Sequence, residues 1–175
     1  MHHKILDKNL YFFISLAMIS WAVAWTSAKI VNEYMSTYNL IVFRFFLGSI
    51  SILPLIKFND FKRVFNKSNI RYVLLISILF FIYNIFFFKG TKYGLAGKGA
   101  VLVTTLNPLV TVLIMMVILR KTSKKEILGI SLGLIGGLLI LDINSAGLLS
   151  ILKVGNIYFL ICAVIWGLMT VLMKY

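Results

Sequence analysis

Long uncharged apolar runs alternate along the chain with short segments that carry most of the charge. Six such runs stand out: Leu10–Val31, Asn39–Ile56, Tyr72–Phe88, Lys98–Leu119, Ile127–Leu141 and Asn156–Met173. A helix needs about 20 apolar residues to cross a bilayer. The fifth run is short but rich in Leu, Ile and Gly. Strands of a membrane barrel are about ten residues long and alternate in polarity, and these runs do neither. The pattern predicts an all-α polytopic membrane bundle of about six transmembrane helices. Lys4 and Lys8 before the first run, with Ala22-Val23-Ala24 inside it, resemble a cleavable leader. The apolar stretch from Asn9 to Ala28 is nevertheless long enough to span, which predicts a retained helix.

Composition points the same way. Of 175 residues, 61% are hydrophobic and 13% charged. Soluble domains are about 45–50% apolar and about 25% charged. A chain this small cannot hide so much apolar surface from water, and disorder requires the opposite composition. The formal net charge of +13 would suggest nucleic acid in a soluble protein. Here the basic residues fall between apolar runs, so no nucleic-acid partner is expected and the charge reads as orientation. With the N-terminus cytoplasmic, the inner side takes Lys4 and Lys8, the segment from Lys57 to Arg71, that from Arg120 to Lys125, and Lys174. The outer side takes Lys29, Lys89, Lys92, Lys98 and Lys153. The greater inner share predicts a multi-pass protein of the inner (plasma) membrane with its N-terminus inside.

Enzyme chemistry finds no support. The chain lacks a phosphate-cradling Gly-rich loop with Lys-Ser/Thr, a nucleophile–base arrangement and any set of residues with metal spacing. His2 and His3 are terminal, and the single Cys162 lies in an apolar run as a small hydrophobe. No cofactor is expected.

Internal similarity links the two ends. Trp21 and Lys29 are spaced as Trp166 and Lys174 are, an offset of 145 residues. Asn9-Leu10-Tyr11-Phe12-Phe13-Ile14 resembles Asn156-Ile157-Tyr158-Phe159-Leu160-Ile161 at an offset of 147. Two residues turn a helix by about 200°, so one gapless alignment cannot hold both. A repeat of five spans inverts the topology of its second copy, a pattern of secondary transporters.

Several short motifs then resemble the first half of an EamA-type carrier of the drug/metabolite transporter superfamily. They are Ser20-Trp21-Ala22 with Ala28-Lys29, Phe43-Arg44-Phe45-Phe46, and Lys89-Gly90-Thr91-Lys92-Tyr93-Gly94-Leu95-Ala96. Ala100-Val101-Leu102, Leu106-Asn107-Pro108-Leu109, Ile127-Leu128-Gly129-Ile130 and Leu134-Ile135-Gly136-Gly137 continue the resemblance. Gly155-Asn156 and Trp166 resemble the opening of a second repeat. The resemblance implies a five-helix repeat over residues 1–145 and the start of a truncated second repeat over 146–175. It implies export or exchange of small amino-acid-like or drug-like metabolites by alternating access. Such carriers have ten spans, so the alternatives are an incomplete, inactive fragment or a half-size unit. A half-size unit would work with a second copy or with a separate second half. Arg120 stands where many members carry an acid.

The candidate substrate-binding residues are Trp21, Trp25, Arg44, Tyr83, Asn84, Thr104, Asn107 and Pro108. Arg44 sits inside a span, where a charge costs about 2.5–3.5 kcal/mol at the centre. It either snorkels to headgroups or faces a cavity and attracts a carboxylate. Trp21 and Trp25 share a helix face near mid-membrane, as a cavity wall or as packing. Pro108 frees the carbonyl of Thr104 amid Thr105, Asn107 and Thr111, giving either a satisfied kink or a binding wall. Tyr83 and Asn84 serve substrate or interhelical hydrogen bonds. Gly129, Gly133 and Gly137 repeat every four residues and read as helix packing. Lys29 and Glu33 are one turn apart and read as a surface pair, or as functional charges. Spans one to four contain no acid, so carboxylate-based proton coupling would use Glu33, Asp142 or groups outside this chain.

Overall fold

The computed structural model describes residues 2–56, 67–119, 124–140 and 154–174. Within them it is helical throughout, with six α-helices and one short 3₁₀ turn. The helices are α1 (His2–Tyr34), α2 (Thr37–Ile52), α3 (Lys67–Tyr93), α4 (Ala96–Leu119), α5 (Lys124–Ile140) and α6 (Val154–Leu172). Five of them, all but α5, carry an apolar stretch long enough to cross a membrane. The described part of α5 has 17 residues, about 25 Å at 1.5 Å per residue, just short of a full crossing. Asp142, the 145/146 boundary and most of the basic residues assigned to the inner loops lie outside the described residues.

Local chemistry sets the joints. Ser36 caps α2 by accepting a hydrogen bond from the Asn39 N–H at 3.3 Å, so α1 and α2 form a tight hairpin. At the far end Pro54 lies in the 3₁₀ turn Leu53–Leu55 that follows α2. Gly94 and Leu95 alone separate α3 from α4, with the Gly94 N–H donating to the Gly90 carbonyl at 2.8 Å.

The core is built around α6. It packs chiefly on α3 and α4, and its buried side is continuous from Gly155 to Val171. Phe159 is fully buried against three glycines of the α3–α4 joint. A Cβ at Gly90 would stand 2.6 Å from the Phe159 ring, and one at Gly99 would meet the same ring. Gly94 and Gly155 bring the α3–α4 joint and α6 into backbone contact, since a Cβ on Gly155 would come within 2.5 Å of Gly94 Cα. Small residues of this kind let membrane helices approach closely, where lipid offers no hydrophobic drive to associate.

Away from α6, the bundle is tight at one end only. From Leu10 onward the buried side chains of α1 are Trp25, Ala28 and Asn32, while Leu10 to Ser20 are all exposed. In α2 the buried pair is Leu40 and Ile41, just after its start. Those of α3 lie between Tyr83 and Thr91. Thus α1, α2 and α3 converge where Tyr34, Thr37 and Tyr93 lie, and their other halves stay open. α5 packs on α4, where Gly133 faces Leu109 and Gly137 faces Thr105; Gly129 meets nothing within 4 Å.

Candidate functional site

A groove of ≈ 540 Å³ opens between α2 and α3. Arg44, Phe45, Gly48, Ser49, Ile52 and Phe80 line it, with Leu53 and Ile56 at the far end. Arg44 is its only charged residue. The residue is exposed on the groove side, and its guanidinium carbon lies 5.3 Å from the Phe87 ring centroid and 5.8 Å from that of Phe88. Cation–π contact of this kind steadies a guanidinium without neutralising it. None of α2, α3, α4 or α6 contains an acidic residue. The groove therefore offers a positive charge at the head of an apolar slot.

Behind the groove lies an aromatic cluster. Phe80 meets Phe45 edge-on at 5.5 Å and stacks with Tyr83 at 6.0 Å. Tyr83 is buried and sits 5.0 Å from Trp166. Trp166 in turn stacks on Trp21 at 6.4 Å with planes 26° apart. Trp25 is buried, edge-on to Phe87 at 4.8 Å and 5.7 Å from Phe159. Trp21, Trp25 and Tyr83 are thus joined to the groove by ring contacts through Phe80 and Phe87.

The remaining candidates are placed differently. Asn84 is fully buried; its amide donates to the Phe80 carbonyl at 2.7 Å, and its Oδ1 is buried without a partner. Thr104 is exposed and donates back to the Ala100 carbonyl at 2.8 Å. Asn107 accepts from the Thr111 hydroxyl, through its backbone carbonyl at 2.9 Å and its Oδ1 at 3.4 Å. Pro108 is exposed within α4, which is assigned as one helix across it. These three α4 residues are not part of the groove lining.

Two polar features link α1 to the end of α3. Lys29 does not turn to Glu33: its ammonium donates to the carbonyls of Lys92 at 3.1 Å and Gly94 at 3.3 Å. A cation there meets the orphan carbonyls and negative dipole end of α3. Asn32, buried, donates to the Phe88 carbonyl at 2.6 Å and to the Thr91 hydroxyl at 2.9 Å. The apolar run as read ends at Val31, so Asn32 fell outside the first span. Trp166 carried a signal, its match to Trp21; the roles of Phe80, Phe87 and Phe88 carried none in so apolar a chain.

An aromatic-backed groove with one cation lies among membrane-length helices, the architecture of a polytopic helical membrane protein. The model of the EamA-like transporter family matches residues 8–142, and the chain belongs to that family. It is 30% identical over 169 residues to a protein of Bacillus subtilis (strain 168) named "Uncharacterized transporter YyaM". That match covers 94% of this chain and 55% of the relative, so the chain spans about half the length of the relative. No solved structure matches the chain.

Proposed function

We propose that this chain supplies the first half of a secondary transporter that exports or exchanges small carboxylate-bearing metabolites across the inner membrane by alternating access. The observation that carries this is Arg44, a lone exposed guanidinium at the head of an apolar groove whose helices hold no acid. Its charge is free for a substrate carboxylate, and guanidinium–carboxylate pairing is strong and directional in such a setting. The apolar slot toward Ile56 suits the body of an amino-acid-like or drug-like molecule. That the chain spans about half the length of its relative supports reading it as one half, and the order of the motifs from Trp21 to Gly137 supports the first.

The distribution of basic residues supports a cytoplasmic N-terminus, which puts the groove's far end at the cytoplasmic side. The stacking of Trp21 on Trp166 supports the 145-residue offset, because residues related by a two-fold axis touch each other only beside that axis. On this reading residues 1–145 form the first repeat and 146–175 open the second. The exposed stretch Leu10–Ser20 supports a second half lying against α1. A second copy of this chain or a separate half is the alternative source of that cover.

The test is exchange of labelled amino acids and small carboxylates in proteoliposomes, with the purified chain alone and with a second half supplied. Exchange lost on Arg44→Ala supports the reading. No exchange of any such compound in either preparation overturns it.

A further inference from the structure

The tight end of the bundle is held by polar contacts that run from donors on α1 to acceptors on α3 and the α3–α4 joint. Lys29 reaches the Lys92 and Gly94 carbonyls, and Asn32 reaches the Phe88 carbonyl and the Thr91 hydroxyl. The Thr91 hydroxyl itself donates to the Phe88 carbonyl at 3.0 Å, so Asn32, Thr91 and Phe88 form one connected network beside the two Lys29 contacts. It lies at the end of the bundle opposite the groove's far end at Ile56.

We propose that Lys29 and Asn32 form the latch that closes this end, and that Lys29 passes from the α3 carbonyls to Glu33 when the end opens. The proposal rests on the alternating-access reading above. Three observations carry it. First, the contacts tie α1 to α3, and α3 is one wall of the groove, so they must yield when α3 moves away from α1. Second, the closed arrangement is incompletely satisfied: Asn32 Oδ1 is buried with no partner. A half-satisfied buried network holds less firmly than a complete one, which suits an element with two arrangements. Third, Lys29, Asn32, Glu33 and Lys92 line a pocket of ≈ 330 Å³ at the same place. Glu33 stands four residues beyond Lys29 on α1, the spacing at which opposite charges on a helix pair. Lys29 thus has a second partner within its own helix once α3 withdraws, so opening does not strand the ammonium.

Sided labelling tests this without a substrate. Gly48 lines the groove, and a Cβ there meets nothing within 4 Å, so Gly48→Cys places a thiol in the groove at little cost. The buried native Cys162 serves as background. An impermeant maleimide is applied to right-side-out and inverted vesicles bearing this chain. The readout is the ratio of labelling rates from the latch face and the groove face. Lys29→Met with Asn32→Ala is expected to raise that ratio about tenfold, because several hydrogen bonds are lost from the closed arrangement only. Lys29→Arg, which keeps the donors, is expected to leave it within about twofold. Glu33→Gln is expected to lower it by about twofold, since the open arrangement loses its pair. Labelling retained from the groove face shows that a variant is folded. An unchanged ratio in folded Lys29→Met/Asn32→Ala protein overturns the latch. A shift there with none in Glu33→Gln overturns the role of Glu33. If the ratio shifts but no compound is exchanged, the latch stands and the transport reading falls.

Discussion

The indoles of Trp21 in α1 and Trp166 in α6 stack 6.4 Å apart with their planes 26° from parallel. They are the two tryptophans that the internal sequence match pairs, and each lies near the middle of its helix. The contact joins the first helix of the proposed first repeat to the first helix of the second. Stacked aromatic pairs contribute about 0.5–1.5 kcal/mol beyond their burial. A double-mutant cycle of Trp21→Leu and Trp166→Leu, read by thermal unfolding in detergent, should give a coupling energy of that size. Additive effects would show that the stack links nothing.

Phe159 and its glycines set a sharper expectation for stability. Gly99→Ala and Gly90→Ala put a methyl into the Phe159 ring and should each destabilise by about 1–3 kcal/mol. Gly155→Ala should be at least as harmful, because the obstacle is the Gly94 backbone rather than a movable side chain. Gly129→Ala meets open space on a helix and should be neutral or stabilising by up to about 1 kcal/mol. Denaturation midpoints of the four variants check this order.

Asn84 separates structure from function. Its Oδ1 is buried and unpaired, so replacing the amide with a similarly sized apolar group removes an unsatisfied acceptor. Asn84→Leu should leave the melting temperature unchanged or raised. If Asn84 meets a substrate during the cycle, exchange should fall about tenfold or more in the same variant. A variant that is stable and fully active would confine Asn84 to packing.

Much of the fold was legible because the spans are long and the charges lie between them. Trp21 and Trp25, four residues apart, do share a face, and both reach α6. What the sequence hid is which apolar residue meets protein and which is left outside. Phe159 and Ile157 are equally apolar neighbours on α6, yet the first is wholly buried and the second exposed. In a bilayer both surroundings are apolar, so hydrophobic periodicity fades as a guide. The glycines around the α3–α4 joint were visible, but their common target was not, because it lies some 60 residues further along the chain. The partners of Lys29 stay hidden for a related reason: an in-helix partner four residues away is written in the sequence, and two carbonyls at the α3–α4 joint are not.

Arg44 bears the central claim, and exchange kinetics in proteoliposomes test it most directly. With the second half present, labelled amino acids and small carboxylates should exchange. Arg44→Ala should cut exchange by about a hundredfold, loss of a charged partner in a site that pairs it. Arg44→Lys should recover part of it, since charge is kept and the bidentate fork is lost. Exchange that proceeds at the original rate in folded Arg44→Ala protein would contradict the account.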